Sequence, residues 1–237
     1  MNKIQINPHI DLESCRDKYL KDGRVRIANF FTDDSADYLL DLIVKHEIWY
    51  FAYNNNDQYY ESTVEDVRAL PEKTYNQFMG NIEARASNNF QYAFNQYHIS
   101  QAIAYKENIG SPIHSVDAYF NSDAFLASMK KITLDKDIVK ADSYISSFQN
   151  RHFLTSHDDN HQKHNRSAAF TLGMTKQWNK NWGGYLEFYD SIDNIKEAFK
   201  PSFNTLILFS VPQEHAVQQV TSFAQKDRLS YLGWLLR

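Results

Sequence analysis

Two histidines and one aspartate in the C-terminal half of the chain have the types and spacing that suit a metal ion. His157 and Asp159 are separated by one residue, so on a regular strand both side chains point to the same face. His215 opens a later predicted strand, after a turn formed by residues 211–214. Two imidazoles and one carboxylate on one face of Fe(II) leave three coordination positions open. The sequence therefore predicts an iron(II) site formed by His157, Asp159 and His215.

Arg228 and Ser230 follow this triad and could bind a further ligand of the iron. The three open positions can accept O2 and a bidentate 2-oxo acid. Arg228 begins the last predicted strand, 13 residues after His215 (228 minus 215). Its guanidinium group stays charged and can form paired hydrogen bonds with the far carboxylate of such an acid. Ser230 lies on the same strand face and can donate its hydroxyl to that carboxylate.

Some of these residues allow other interpretations. A His-x-Asp pair often arises by chance in a chain with 9 histidines, so the prediction depends on the ligand order, the distance to Arg228 and the β context. Asp158 competes with Asp159 as a ligand, but adjacent residues on a strand point to opposite faces. A zinc site formed by His161, His164 and a carboxylate is conceivable. No Cys pair and no His-Glu-x-x-His pattern supports zinc, however.

Composition limits the remaining function classes. The net charge is -4, from 25 basic and 29 acidic residues, and no long basic run suggests a nucleic-acid partner. No run of about 18 uncharged apolar residues predicts a membrane span. The single cysteine, Cys15, excludes an internal disulfide, and no secretory segment follows Met1, so a cytoplasmic location is expected. No nucleophile elbow or phosphate-binding glycine loop is present.

The pattern of apolar residues predicts one domain that is mainly β with flanking α-helices. Residues 1–141 contain a strand near 25–31 and helices near 34–47, after Pro71 and near 122–131, and they are expected to support the core from outside. Residues 142–237 contain seven or eight short strands separated by turn signals. Such a series predicts a double-stranded β-helix, the jelly-roll or cupin-like core, carrying the metal site.

Several blocks of the C-terminal part also match a known family. They are residues 153–159, Arg166 before the 168–174 strand, 178–189, 203–209 and 228–234. Together these blocks resemble the prolyl-4-hydroxylase-like branch of the 2-oxoglutarate/Fe(II) oxygenases. The similarity is greatest to the yeast termination-and-polyadenylation and ribosomal prolyl hydroxylases and their bacterial relatives. It covers about two-fifths of the chain, roughly 143–234.

This resemblance implies roles for residues of this chain. It implies that His157, Asp159 and His215 bind iron(II), and that Arg228 with Ser230 binds 2-oxoglutarate, with O2 as the second co-substrate. The carboxylate of Asp159 favours hydroxylation, because halogenating relatives have a small residue there. One position departs from the family, since members often carry a tyrosine that contacts the co-substrate where this chain has Phe148.

The resulting hypothesis is a dioxygenase that hydroxylates a prolyl residue in a protein or peptide. A hydroxylase of a free amino acid or small metabolite is the first alternative, and a non-catalytic jelly-roll binding protein is the second. Arg166, Trp182 and Tyr185 are candidate substrate residues, and the aromatic, Asn-rich segment 49–60 is either a lid or a packed loop. The substrate and the oligomeric state stay open at this stage.

Overall fold

A curled, mostly antiparallel β-sheet forms the centre of the molecule, and helices cover one of its faces. The computed structural model describes residues 4–56, 58–161 and 165–237. Within these ranges the strands are β1 Arg24–Ala28, β2 Tyr50–Asn55, β3 Gln58–Thr63, β4 Tyr92–Tyr97, β5 Lys140–Phe148, β6 Phe153–His157, β7 Arg166–Gly173, β8 Leu186–Tyr189, β9 Ile195–Phe199, β10 Thr205–Ser210, β11 His215–Val217 and β12 Arg228–Leu236.

The helices lie mainly in the N-terminal part. They are α1 Leu12–Asp22, α2 Asp33–Val44, α3 Val64–Arg68, α4 Glu72–Ala86, α5 Ile99–Tyr105, α6 His114–Phe120 and α7 Asp123–Thr133. Local sequence explains their limits: the Asp11 side chain accepts hydrogen bonds from two backbone N–H groups at the start of α1, and Gly23 ends that helix with a φ of 70°. In the described ranges, no helix is both long and apolar enough to cross a membrane.

The strand order places the predicted site in the concave part of the sheet. The order is β1-β10-β7-β12-β5-β4-β6-β11-β8-β9, and β2 joins at β4 and carries β3. The strand β12 therefore lies between β5 and β7, whereas β6 and β11 are neighbours further along the curl. Each of the central strands presents one side chain inward and the next outward. The two faces consequently have separate environments.

The convex face packs against the helices. A large cluster of buried side chains includes Phe30, Phe120, Phe125, Phe170 and Tyr231, and it joins α2, α6 and α7 to the sheet. Phe120 stacks on Tyr231 with ring centroids 4.1 Å apart. Removing a buried phenylalanine from such a cluster typically costs about 3–5 kcal/mol. The N-terminal helices thus support the sheet from outside, as the sequence predicts.

The concave face has its own apolar lining, built around Phe94, Phe148, Phe188 and Phe209. Phe94 stacks on Phe148 at 4.8 Å with the rings 8° from parallel. The predicted fold class is confirmed by this arrangement, a jelly-roll type of sheet with flanking helices. The segment 49–60 forms most of the β2–β3 hairpin. Residue 57 of that segment lies outside the described residues.

Candidate metal and co-substrate site

His157 and His215 are brought together by strand pairing. The strands β6 and β11 are antiparallel neighbours, and their register places His157 directly opposite His215. The two rings lie 4.2 Å apart between centroids. Side chains directly opposite each other on antiparallel strands share one face of the sheet. Both imidazoles therefore reach into the concave side at the same height.

Asp159 reaches the histidines by a different route from the one expected. The strand β6 ends at His157, so His157 and Asp159 do not share a regular strand face. Asp159 has a φ of 60°, in the left-handed region, which turns the chain so that its carboxylate faces the two rings. Its oxygens lie 3.5 Å from His157 Nε2 and 3.5 Å from His215 Nε2.

Backbone carbonyls fix which nitrogen of each ring faces the aspartate. His157 Nδ1 lies 3.0 Å from the Thr155 carbonyl oxygen, and His215 Nδ1 lies 2.8 Å from that of Gln213. Because a carbonyl only accepts, each Nδ1 carries the proton and donates it. The Nε2 lone pairs are then free to bind a cation, which is the usual arrangement of histidine ligands.

The charges of the triad also suit a divalent cation. Burial lowers the pKa of His215 to about 4, and the neighbouring His157 adds to that effect, so the ring of His215 is neutral at pH 7. Burial alone would raise the pKa of Asp159, but the two histidines outweigh it and lower that pKa to about 2. One carboxylate and two imidazoles, with donor atoms within 4.8 Å of one another, form a compact donor set. These residues fit a single first-row metal ion with room for further ligands.

A cavity of about 580 Å³ opens next to the triad. Its wall contains His157, Asp159 and His215 together with Arg228. Most of the remaining wall is apolar or aromatic, and it includes Phe90, Tyr92, Phe94, Tyr144, Phe148, Leu154, Leu186, Phe209, Val217, Leu232 and Trp234. A concave, largely apolar space with a few convergent polar groups is the common form of a small-molecule site.

Arg228 is a buried cation that has no anion of its own. Its side chain is 6% exposed, and burial lowers its pKa to about 10. Within the described residues its Nε has no hydrogen-bond partner and the guanidinium pairs with no carboxylate. The guanidinium carbon lies 5.1 Å from the centroid of the Phe148 ring, its cross-strand neighbour. A buried, unpaired charge is costly, so the fold retains a group suited to an anionic ligand.

Arg166, at the start of β7, contacts Asp159. Its Nη1 donates a hydrogen bond of 2.9 Å to the Asp159 backbone carbonyl and lies 3.7 Å from the carboxylate oxygen Oδ1. Its guanidinium carbon is 3.6 Å from the centroid of a Trp234 ring. Arg166 also lines the cavity, so it can contact a molecule bound there while it holds the turn at Asp159.

The remaining predicted site residues take various positions. Ser230 is buried on the inward face of β12, two residues from Arg228. Trp182 packs edge-on against Trp178, and the hydroxyl of Tyr185 donates to the Lys180 carbonyl. Trp182 and Tyr185 are absent from the residues that line the cavity, and their role toward substrate stays a prediction.

The competing metal ligands Asp158, His161 and His164 can be placed only in part. Asp158 is not part of the group of donor atoms around His157, Asp159 and His215, and its carboxylate accepts a hydrogen bond from the Asn160 backbone N–H. The zinc site with His161 and His164 cannot be placed, because residues 162–164 lie outside the described residues.

Part of the aromatic 49–60 segment borders the site. Tyr59, which belongs to that segment, reaches the cavity wall from β3, and Glu61 follows it on the same strand face. The hairpin is therefore a packed element of the sheet that also contributes to the rim of the cavity.

Two wall residues were not identified from the sequence. Tyr144 and Trp234 line the cavity and contact each other, with ring centroids 5.5 Å apart. A period-two pattern would have found both, because Tyr144 is four residues before Phe148 and Trp234 is six residues after Arg228.

Comparison with known proteins agrees with this geometry. Residues 143–236 match the sequence model of the 2OG-Fe(II) oxygenase superfamily. The mouse (Mus musculus) protein Prolyl 3-hydroxylase OGFOD1 is 30% identical over 118 residues, which make up 47% of this chain and 21% of the mouse protein. The aligned region therefore spans about a fifth of that relative's length.

Solved structures share the fold at low sequence identity. A Pseudomonas putida prolyl-4-hydroxylase matches with a TM-score of 0.60 and 14% identity, covering 96% of this chain and 99% of that one. A Trichoplax adhaerens prolyl hydroxylase, solved with a hypoxia inducible factor peptide fragment, matches with a TM-score of 0.58 and 12% identity over 95% and 88%. The C-terminal part of the chain therefore matches the 2OG-Fe(II) oxygenase superfamily, and the chain as a whole shares the fold of these prolyl hydroxylase structures.

Proposed function

We propose that this protein is a 2-oxoglutarate-dependent iron(II) dioxygenase that hydroxylates a prolyl residue in a protein or peptide. The observation that carries the proposal is the joint presence of the His157–Asp159–His215 triad and an unpaired, buried Arg228 in one cavity. The triad is the donor set of a non-haem iron(II) centre. Arg228 is the group that such a site needs for the distal carboxylate of the co-substrate.

In this proposal iron(II), bound together with 2-oxoglutarate, supplies the oxidative chemistry that places one oxygen atom of O2 in a C–H bond and the other in succinate, with loss of CO2. His157 and His215 would bind the metal through Nε2, while each Nδ1 keeps its proton and donates it to a backbone carbonyl. Asp159 stays ionised and offsets part of the metal charge. Arg228, also on the cavity wall, would bind the distal carboxylate of the co-substrate.

The cavity wall contributes by excluding water and positioning substrate. Phe94, Phe148 and Phe209 keep the inner part apolar, which protects a reactive oxidant from side reactions. The exposed residues Tyr59 and Glu61 of the β2–β3 hairpin line part of the cavity, so it reaches the surface there and a substrate side chain can enter from this end. A prolyl ring, which is small and apolar, suits this entrance. The names of the mouse and Pseudomonas putida proteins support the same substrate class.

Product analysis tests the proposal directly. The purified protein is incubated with iron(II), 2-oxoglutarate and a library of proline-containing peptides, and mass spectrometry measures the gain of one oxygen atom at each proline. Succinate is measured in parallel with peptides and with free amino acids, and His157→Ala serves as the control. Peptide oxidation that needs His157 supports the proposal. Turnover with free amino acids alone would instead indicate a small-metabolite hydroxylase. Metal binding without any turnover would favour a non-catalytic binding protein.

A further inference from the structure

The ring next to Arg228 on the cavity wall, that of Phe148, carries no polar group. Phe148 is 2% exposed, and its ring is fixed between Phe94 and the guanidinium of Arg228. Phenylalanine neither donates nor accepts a normal hydrogen bond. The co-substrate must therefore find its polar contacts elsewhere on this wall.

The pairing of β5 with β12 shows what else the wall offers. In this register Arg228 lies opposite Phe148, Ser230 opposite Ser146 and Leu232 opposite Tyr144. Because side chains alternate along a strand, these three pairs share the inward face. Ser146 is completely buried, and its hydroxyl has no hydrogen-bond partner within the described residues. A buried hydroxyl without a partner is unusual in a native protein. This wall therefore has unused polar capacity next to Arg228.

Tyr144 brings a phenolic hydroxyl to this wall. It lines the same cavity as Asp159 and Arg228, and no hydrogen bond to its hydroxyl occurs in the described parts of the chain. Trp234 packs at 5.5 Å and His98 at 5.8 Å between ring centroids, so the ring of Tyr144 is supported on two sides. Burial, and then the negative charge of Asp159, raises its pKa, and the positive charge of Arg228 acts in the opposite direction. The hydroxyl is therefore a protonated donor within electrostatic reach of both the metal ligands and Arg228.

We infer that the hydroxyl of Tyr144 makes the contact to the bound 2-oxo acid that Phe148 cannot make. Tyr144 is four residues before Phe148 on the same face of β5, and both side chains line the cavity. Ser146, between the two, is a secondary donor beside Arg228. This inference rests on the proposed function, because it assumes 2-oxoglutarate as the ligand.

Calorimetry on protein loaded with Mn(II), which does not turn over, measures the contact without enzyme activity. 2-Oxoglutarate is titrated into the wild type and into Tyr144→Phe, which keeps the ring and removes only the hydroxyl. Tyr53→Phe is the matched control, because Tyr53 lies on β2 and is not among the residues that line the cavity. Losing a hydrogen bond to a charged group weakens binding roughly tenfold or more. We expect that loss of 2-oxoglutarate affinity in Tyr144→Phe, unchanged affinity in Tyr53→Phe and unchanged Mn(II) affinity in both.

Three results would overturn the inference. The first is wild-type affinity for 2-oxoglutarate in Tyr144→Phe, and the second is an equal loss in Tyr53→Phe. The third is a fall in Mn(II) affinity that accompanies the loss in Tyr144→Phe, since it would indicate a damaged site rather than a missing contact. Failure of the proposed function looks different: the Mn(II)-loaded wild type would not bind 2-oxoglutarate, or Arg228→Ala would bind it as well as the wild type.

Discussion

The guanidinium of Arg166 lies over the indole of Trp234, 3.6 Å from a ring centroid, while its Nη1 donates to the backbone carbonyl of Asp159. The stack fixes the arginine plane, and the hydrogen bond fixes the left-handed turn that aims the Asp159 carboxylate at the histidines. Trp234 Nε1 is buried without a hydrogen bond of normal geometry in the described residues, and it is close enough to help keep Asp159 ionised. Arg166 and Trp234 therefore help to hold the metal ligand Asp159 in position.

Replacing Arg166 should weaken metal binding even though it is not a ligand. We expect Arg166→Ala to lower Mn(II) affinity about tenfold or more, the range seen when groups that orient metal ligands are removed. Arg166→Lys should recover little, because lysine lacks the planar group that stacks on an indole. Mn(II) titration followed by electron paramagnetic resonance measures the effect. Arg16→Ala, in α1 and outside the cavity wall, is the control, and equal affinity in Arg166→Ala and the control would contradict this role.

The buried, unpaired Arg228 should lower the stability of the protein when no co-substrate is bound. Replacing a buried, unpaired charge by an apolar side chain of similar length removes a desolvation penalty, so Arg228→Met should raise the free energy of unfolding by about 1–3 kcal/mol. The same variant should lose 2-oxoglutarate binding. Urea unfolding without co-substrate tests the first effect, and calorimetry tests the second. A variant that is less stable than the wild type would show that Arg228 has a structural partner in the free protein.

His152 should make stability depend on pH. Burial lowers its pKa from 6.5 to about 4, so the folded protein binds its proton less readily than the unfolded chain. The stabilising contribution is therefore complete above pH 6.5 and is lost as the pH falls toward 4, by about 3 kcal/mol in total. Urea unfolding at pH 7 and pH 4.5 should show a smaller loss in His152→Phe than in the wild type. Equal losses in the two proteins would mean that protonating His152 in the folded protein costs little free energy.

Close packing of β12 against β5 should make Gly233 difficult to replace. A Cβ at this position would lie 2.0 Å from the Asp142 carbonyl oxygen, so the strands would have to separate. We expect Gly233→Ala to lower the free energy of unfolding by about 1–3 kcal/mol. Gly80→Ala is the matched control, because Gly80 is inside α4 with no atom near its Cβ position, and this change should stabilise by about 0.5–1 kcal/mol. A neutral Gly233→Ala would show that the two strands can separate at little cost.

Much of this arrangement is predictable from the sequence, for identifiable reasons. The apolar residues in 205–210 and 228–236 predict buried strands, and β10 and β12 are such strands. The order of ligand types along the chain predicts which residues meet around the cavity, namely His157, Asp159, His215 and Arg228. The first three come together because the strand ends near them converge.

The remaining features depend on tertiary context. The left-handed turn at Asp159 was not predicted, because an aspartate in a His-x-Asp pair is equally compatible with an extended backbone. The short helices α3, α5 and α6 were also not predicted, since helices of 5 to 7 residues carry little periodic signal. The stack of Arg166 on Trp234 joins residues far apart in sequence, and no local pattern encodes it.

The most direct test of the central claim is an anaerobic titration of iron(II) and 2-oxoglutarate, followed by the metal-to-ligand charge-transfer absorption. The wild type should develop this band on addition of both components. His157→Ala should lose it because the metal is not held, and Arg228→Ala should require far more 2-oxoglutarate to reach it. A folded wild-type protein that develops no band, or a band that persists unchanged in both variants, would contradict the assignment of this cavity to iron(II) and 2-oxoglutarate.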